Sequence, residues 1–137
     1  MRDHLRVLES RFGIPAEVFE QFATRAEQET VFIGTREALQ FDEVRPLRRG
    51  IRLLRIFPRS IKPTTWAMQL FGRYARRNLI DVTAEQAAEL INGSQIRIDA
   101  DVEDGFVLIR WQRYVVGVGL YHRPVLKSHI PRNRPVD

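Results

Sequence analysis

The fold is decided by Gly105-Phe106-Val107-Leu108-Ile109-Arg110-Trp111-Gln112-Arg113-Tyr114-Val115-Val116-Gly117-Val118-Gly119-Leu120-Tyr121. An apolar run follows a glycine, a polar pair interrupts it, and a second apolar run carries glycines at alternate positions. Runs of β-branched and aromatic residues on both sides of a short polar break are typical of two strands and a turn. A short basic segment follows shortly afterwards, Leu126-Lys127-Ser128-His129-Ile130-Pro131, and its proline ends it.

The composition predicts a globular protein of modest size. The chain has 137 residues, of which 44% are hydrophobic, enough for one domain or for two small ones that share a core. No apolar run approaches the roughly 18 residues of a membrane span, and the N-terminus lacks the pattern of a signal peptide. There is no cysteine, which excludes disulfides and a catalytic thiolate and fits a cytoplasmic protein.

Charge is separated into blocks along the chain. Residues 44–80 carry ten basic and no acidic side chains, and residues 110–137 carry six basic and one acidic. The other two blocks are acidic, with five basic and nine acidic side chains in residues 1–43 and one basic and seven acidic in residues 81–109. Such a distribution predicts a polarised surface.

Arginine dominates the basic residues, because Lys62 and Lys127 are the only lysines among 22. Arginine suits bidentate contacts with phosphate and stacking on nucleobases. A bias in genome composition would produce the same excess, so the excess alone does not decide between the two explanations.

The first half of the chain is predicted to alternate helices and strands. Apolar spacing predicts a helix over residues 2–12, and Pro15 is predicted to open a second helix whose apolar stripe extends to Ala26. Thr30–Ile33 is predicted as a strand and Arg36–Phe41 as a short helix. Ile51–Phe57 is predicted as a strand with interleaved arginines.

The middle of the chain is predicted to contain a loop and an amphipathic helix. Pro58 and Pro63 bracket the loop, and Thr64 or Thr65 is predicted to cap a helix over residues 65–77. Three residues with helical spacing, and their apolar neighbours, are expected to form the apolar face of this helix: Trp66, Leu70 and Tyr74 with Ala67, Phe71 and Ala75. Three arginines are expected in its last turns, where cations suit the helix dipole: Arg73, Arg76 and Arg77.

The last half begins with a predicted strand at Leu79–Val82. Thr83-Ala84-Glu85-Gln86 is a capping box that predicts a helix to Ile91, with an alanine-rich face, and Asn92-Gly93 is typical of its left-handed end. Ile96–Ile98 is predicted as a strand, and Asp99–Gly105 as an acidic turn before the hairpin.

The motifs of several enzyme and metal sites are missing. Gly117-Val118-Gly119 does not open a helix, so it does not fit a dinucleotide-binding loop. The acidic residues at 99–104 have the wrong register for a calcium loop. The histidines are scattered, and no serine lies in a nucleophile-elbow pattern. We therefore expect no enzyme activity, no cofactor and no metal.

The segments Thr83–Ile91, Gly93 and Gly105–Pro131 resemble a PUA domain, the small β-barrel RNA-binding module of pseudouridine synthases and archaeosine transglycosylases. The hairpin and the basic segment are more closely similar to the C-terminal PUA-like domain of Sun/Fmu-type rRNA cytosine-C5 methyltransferases. Lys62-Pro63-Thr64-Thr65 and Gln69-Leu70-Phe71-Gly72 resemble the short stand-alone relatives of that tail, which are ribosome-biogenesis proteins. The resemblance covers about residues 60–131.

The resemblance implies an α+β fold, with an N-terminal α/β pre-PUA-like domain at 1–75 and a PUA-like mixed β pseudobarrel at 76–137. It also implies binding of RNA, either rRNA or tRNA. The catalytic part of those methyltransferases does not carry over. They use a cysteine nucleophile and an S-adenosylmethionine-binding domain, and this sequence has neither.

Candidate RNA-binding residues come from the basic blocks, the helix end and the hairpin. They are Arg48, Arg49, Arg59, Lys62, Arg73, Arg76, Arg77, Asn92, Gly93, Arg110, Trp111, Arg113, Arg123, Lys127, Ser128, His129 and Arg132. Four aromatic residues are candidates for base stacking, although Trp66 is expected in the core: Trp66, Trp111, Tyr114 and Tyr121. Gly117 and Gly119 leave one strand face bare, either for the predicted helix at 83–91 or for an RNA backbone.

Three functions fit these patterns. The first is non-enzymatic binding of structured rRNA or tRNA in ribosome biogenesis or RNA modification, through a basic groove that reads shape and phosphates. The second is a protein-interaction module whose basic face docks an acidic partner, such as an assembly factor or an RNA-modifying enzyme. The third is a small enzyme of RNA modification.

Overall fold

The computed structural model describes residues 2–35 and 50–132, which form an α+β fold with two β-sheets. The helices are α1 (Arg2–Phe12), α2 (Thr65–Phe71) and α3 (Ala84–Ile91), with single 3-10 turns at Ala16–Phe19 and Gly72–Tyr74. The strands are β1 (Ala23–Glu27), β2 (Thr30–Gly34), β3 (Ile51–Phe57), β4 (Ser60–Pro63), β5 (Leu79–Val82), β6 (Gln95–Arg97), β7 (Gly105–Trp111), β8 (Tyr114–His122) and β9 (Val125–Ser128).

The first sheet is an antiparallel meander in the order β1-β2-β3-β4. Its register contains a β-bulge: Val31 pairs with Leu54 and Phe32 pairs with Arg52, so Leu53 is an extra residue on β3. A bulge breaks the alternation of side chains along a strand. Because of it, Arg52 and Arg55 line the same groove although they are three residues apart.

The second sheet is mixed, in the order β5-β7-β8-β9-β6. Strand β5 runs parallel to β7, the other neighbours are antiparallel, and α3 lies in the connection from β5 to β6. The predicted hairpin is β7–β8, and Gln112 adopts a positive φ of 56° in its turn. The mixed sheet is a curled half-barrel, which confirms the predicted α+β class with a pseudobarrel.

Two apolar cores hold the sheets and helices together. The first combines residues of α1, the first sheet and α2 with Leu108, Val115 and Val118 of the hairpin. The second lies under α3 and is centred on Tyr121, Leu90 and neighbouring strand residues. The division of the chain into domains at 1–75 and 76–137 remains a prediction.

Most local predictions are confirmed. Helix α1 spans the predicted residues, and the strands at 30–33, 51–57 and 79–82 are present within one residue. The capping box of α3 is complete, since Thr83 and Gln86 exchange hydrogen bonds of 3.0 and 3.1 Å. Gly93 follows this helix with a φ of 90°, as a left-handed end requires.

The predicted helix from Pro15 to Ala26 is wrong. Only a 3-10 turn forms at Ala16–Phe19, and the chain then enters β1. Strand β1 pairs with β2 from Ala23–Gly34 to Glu27–Thr30, around a turn in which Gln28 has a φ of 56°. Strand β1 is stabilised by its hydrogen bonds to β2, and the apolar spacing of its own residues does not indicate this pairing.

The predicted loop at 58–63 and the helix at 65–77 are wrong in part. The loop contains β4, and α2 ends at Phe71, so Arg73, Arg76 and Arg77 lie beyond it. Thr64 does cap α2. Helix α2 buries Thr65, Ala67, Met68 and Phe71, so Ala67 and Phe71 of the predicted apolar face are buried, whereas Leu70 of that face is exposed.

The alanine-rich face predicted for α3 is also wrong in part. Ala87 and Leu90 are the buried residues of this helix, whereas Ala84, Ala88 and Ile91 are exposed. The predicted helix at Arg36–Phe41 lies outside the described residues.

The strand face at Gly117 and Gly119 is covered by side chains of the segment after β8 and by Thr65 of α2. A Cβ atom on Gly117 would collide with Ile130 and lie 3.2 Å from Thr65 Oγ1. A Cβ atom on Gly119 would lie 2.8 Å from Leu126 Cδ1. Both glycines are buried, so the chain after β8 folds back and covers the strand that it follows.

Candidate nucleic-acid interface

A basic groove lies between the β3–β4 hairpin, the start of α2 and the residues that follow β9. Its volume is about 140 Å³. We call it the Lys62 groove. The lining residues are Ile51, Arg52, Arg55, Lys62, Thr64, Thr65, Trp66, His129 and Pro131. Among the described residues, the lining includes two arginines, one lysine, one histidine, one tryptophan and no carboxylate, a composition that suits an anion.

The β3–β4 hairpin positions two of the cations. Arg55 and Lys62 are directly opposite each other in the register of the two strands. Lys62 is half-buried, and burial lowers its pKa, with a further lowering from the charge of Arg55. Such a partly desolvated ammonium group gains more from a bound anion than an ammonium group in bulk water.

His129 is held on the opposite wall of the groove. Its backbone N–H donates to the carbonyl of Val118 over 2.9 Å, and its ring meets the ring of Phe106 edge to face at 5.6 Å. Burial lowers the pKa of His129, followed by the charges of Lys62 and Lys127. The imidazole is therefore neutral at neutral pH, and an anion in the groove would favour its protonation.

Trp66 and the two threonines complete the wall formed by α2. Thr64 donates its hydroxyl to the carbonyl of Arg52 and accepts from the N–H of Ala67, so it joins β3 to the start of the helix. Thr65 is buried, and its hydroxyl accepts from the N–H of Val118 over 3.1 Å. These bonds fix the base of α2 between the two sheets and place half-buried Trp66 at the groove.

Three predicted arginines are engaged by other parts of the protein. Arg110 forms a bidentate ion pair with Asp81 at 2.6 and 3.0 Å. Arg123 donates to the carbonyl of Ala100 over 2.6 Å and forms an ion pair with Asp99 at 3.4 Å. Arg77 donates to the carbonyl of Glu9 over 2.6 Å. Their partners are carboxylates or carbonyls, so these guanidinium groups contribute to the fold.

The other predicted residues are spread over the surface. Gly93 and Arg132 are in contact, since a Cβ atom on Gly93 would lie 2.9 Å from Arg132 Cδ, and Asn92 is beside them. Arg59, Arg76 and Lys127 are exposed, and Ser128 Oγ accepts from the N–H of Ile130. Three further candidates lie near aromatic rings or in the second core: Arg73 over Tyr74, Arg113 over Tyr114, and half-buried Trp111. Arg48 and Arg49 lie outside the described residues.

The structure also corrects the aromatic candidates. Tyr121 is fully buried, donates its hydroxyl to the carbonyl of Ile98 over 2.9 Å and accepts from the N–H of Ala100. It is therefore not available for stacking. Trp66 is half-buried at the groove and does not belong to either core cluster.

Four groove residues were not among the predicted binding residues: Arg52, Arg55, Thr64 and Thr65. The arginines stood in a predicted strand, but regular alternation places residues three apart on opposite faces. Only the bulge at Leu53 brings them to one groove, and a bulge leaves no clear signal in a single sequence.

Asp81→Asn is expected to reduce stability at neutral pH by less than about 1 kcal/mol, because the ion pair with Arg110 is largely exposed. The hydrogen bond from Arg110 lowers the pKa of Asp81 from its usual 3.8. The contribution of the pair is therefore complete above pH 3.8 and is lost as the pH falls through the lowered value. Urea unfolding at pH 7 and at pH 3 measures the difference. A difference between wild type and variant that stays constant with pH would contradict this assignment.

The mixed sheet, the capped helix and the basic segment after β9 together have the fold of a PUA-like pseudobarrel. Residues 77–134 match the family model described as the methyltransferase RsmF PUA domain. Ribosomal RNA small subunit methyltransferase F of Aeromonas salmonicida (strain A449) is 24% identical over 131 residues. The match covers 93% of this chain and 26% of that protein, so the chain spans about a quarter of the relative's length.

These matches confirm the resemblance to the C-terminal domain of rRNA methyltransferases. Since the match to the relative covers 93% of the chain, the similarity extends to residues before position 77, where the match to the family model begins. No helix in the described part of the chain is long and apolar enough to cross a membrane. Within the same residues, no three His, Asp or Glu side chains are grouped to hold a metal ion.

Proposed function

We propose that this protein binds structured RNA without catalysing a reaction on it, and that it acts in ribosome biogenesis or RNA modification in the cytoplasm. The observation that carries the proposal is the Lys62 groove, in which Arg55, Lys62 and His129 converge from two sheets and whose described lining residues include no carboxylate. The matched relative is named as a methyltransferase of small-subunit rRNA, which favours rRNA over tRNA.

The proposed mechanism is contact with the RNA backbone. A phosphate in the groove would replace the hydration that the Lys62 ammonium group has partly lost. Its negative charge would also offset the repulsion between Arg55 and Lys62. Such contacts recognise the shape of the RNA and the spacing of its phosphates, with few contacts to base edges. Each phosphate that a cation neutralises releases counterions, so affinity falls steeply with salt.

The test is a filter-binding titration with total rRNA and with total tRNA, at several salt concentrations. The proposal expects binding at low salt, with a linear decrease of log affinity against log salt. If neither RNA binds at low salt, the groove is better explained as a docking site for an acidic protein, such as an assembly factor or an RNA-modifying enzyme.

The lowered pKa of His129 predicts how the affinity for RNA changes with pH. A bound phosphate would raise the depressed pKa of His129, so binding takes up a proton and tightens as the pH falls toward and below 6.5, the usual value for histidine. One coupled proton gives at most about a tenfold change in affinity per pH unit. His129→Gln is expected to remove this dependence. Anisotropy titrations of both proteins between pH 5.5 and 8 make the comparison, and equal slopes would exclude His129 from the contact.

A further inference from the structure

The Lys62 groove carries the charge that a doubly negative group requires. Arg55 and Lys62 bring two permanent positive charges opposite each other on β3 and β4. No carboxylate lies among the described residues that line the groove. Besides burial, the charge of Arg55 lowers the pKa of Lys62, as expected of like charges held near each other. An internal phosphate of RNA brings a single negative charge, whereas a terminal phosphate brings about −1.5 to −2 at neutral pH.

His129 supplies a further donor for a bound phosphate. Its backbone is held by the hydrogen bond to Val118, and its ring by the edge-to-face contact with Phe106. Burial and the charges of Lys62 and Lys127 lower its pKa, so both ammonium groups lie within electrostatic reach of the ring. A terminal phosphate has three free oxygens, so it is able to accept from the imidazole and from the two opposed cations at the same time. An internal phosphate has only two, because its other oxygens bridge to riboses.

The groove is enclosed by three parts of the fold. The β3–β4 hairpin forms one wall, His129 and Pro131 form the other, and the start of α2 lies between them with Thr65 buried. The volume of about 140 Å³ has room for a phosphate group but not for a phosphate with a ribose on each side, since one water molecule alone takes up about 30 Å³ in the liquid. An internal phosphate of RNA carries a ribose on both sides, whereas a terminal phosphate carries one on a single side. The size of the groove therefore favours the end of a strand.

Trp66 lines the same groove and provides a surface for a base. Its side chain is half-buried and belongs to neither core cluster, so the indole is not needed to fill the interior. Nucleobases of any sequence stack on aromatic side chains. The last base of a strand has a neighbouring base on one face only, so its other face is available to the indole.

We propose that the Lys62 groove binds the phosphorylated end of an RNA strand. The terminal phosphate contacts Arg55, Lys62 and His129. The terminal base stacks on Trp66. The inference rests on the proposed function, because it names the part of the RNA that enters the groove. Hydrolysis of a phosphodiester leaves a phosphate on one of the two new ends and a hydroxyl on the other, so the class of reaction that supplies this ligand is cleavage of an RNA strand.

The test uses one RNA hairpin with two unpaired uridines at each end and a fluorescein label in its loop. It is prepared with a 5′ phosphate, with a 3′ phosphate, or with hydroxyl groups at both ends. In anisotropy titrations at constant salt, wild-type protein is expected to bind at least one phosphorylated form about tenfold or more tightly than the hydroxyl form. A hydroxyl-ended hairpin that is longer by two further uridines adds backbone charge without a terminal phosphate, and it is expected to bind like the shorter hydroxyl form.

Matched variants locate this preference in the groove. Arg55→Gln and Lys62→Gln each remove one charge from the groove, and each is expected to lower the preference for the phosphorylated form to about threefold or less. Arg59→Gln makes the same change of charge in the β3–β4 turn, at an exposed position outside the groove lining, and it is expected to keep the full preference. Trp66→Leu is expected to weaken binding of the phosphorylated form about threefold or more, and Trp66→Phe, which retains a ring, is expected to weaken it less. Circular dichroism of each variant confirms that it is folded at the temperature of the titration.

Equal binding of the phosphorylated and hydroxyl forms by the wild type would overturn recognition of the strand end and leave the proposed function intact. The same conclusion follows if the preference survives both Arg55→Gln and Lys62→Gln, or if Arg59→Gln lowers it as much as they do. Failure of every form to bind at low salt would overturn both proposals.

Discussion

Gly117→Ala is expected to lower the free energy of unfolding by about 1–3 kcal/mol, as an added methyl group does in a closely packed core. The new Cβ atom would collide with the Ile130 side chain and press on the hydroxyl of Thr65. That hydroxyl accepts the N–H of Val118, so little room exists for it to move. Urea unfolding followed by tryptophan fluorescence measures the change.

A double-mutant cycle with Ile130→Ala tests the cause. The single variant Ile130→Ala is expected to be destabilised by about 2–5 kcal/mol through loss of a buried side chain. In the double variant the new methyl group occupies part of the vacated space, so the total loss is expected to be smaller than the sum of the two single losses. Additive losses would show that Ile130 does not oppose the Cβ atom.

The contact of Gly117 with Ile130 also affects the position of His129 in the Lys62 groove. Ile130 directly follows His129, and its contact with Gly117 holds the segment after β9 against β8. A side chain at position 117 would push this segment outward and move His129 away from Lys62. Reduced affinity for RNA at temperatures where Gly117→Ala is fully folded would therefore be consistent with the proposed site.

The elements that the sequence predicted correctly are those with local causes. The hairpin at 105–121 follows from two apolar runs and a polar break, and α3 follows from a capping box within four residues. Strand β1 was mistaken for a helix because its partner β2, rather than its own sequence, stabilises it. For α2 the predicted apolar face correctly included Ala67 and Phe71 but also included Leu70, which is exposed, because packing on β8 turns Ala67, Met68 and Phe71 inward.

Two residues of the candidate site were predicted from the sequence, but their proximity in the fold was not. Lys62 and His129 were both identified, the first in a basic block and the second in the segment after the hairpin. They are 67 positions apart in the printed chain, and they meet only because α2 docks between the sheets. The ion pair of Arg110 with Asp81 depends likewise on the parallel pairing of β5 with β7. Long-range pairing of this kind leaves no pattern in a single sequence.

Lys62→Glu is expected to weaken RNA binding by more than about tenfold, because a charge-assisted contact of about 1.5–3 kcal/mol is lost and a carboxylate then faces the phosphate. The fold is expected to persist, since the new carboxylate lies opposite Arg55 on the neighbouring strand and is able to pair with it. Lys62→Gln keeps a hydrogen-bond donor without the charge, and it is expected to bind with intermediate affinity.

Salt dependence and a matched charge change separate direct contact from long-range attraction. Lys62→Gln is expected to reduce the slope of log affinity against log salt by about one, as the loss of one phosphate contact does. Arg97→Glu changes the net charge as much as Lys62→Glu does, at an exposed position that is not part of the groove. It is expected to weaken binding much less. If both reversals weaken binding equally, RNA senses only the overall positive charge, and the Lys62 groove is not the contact.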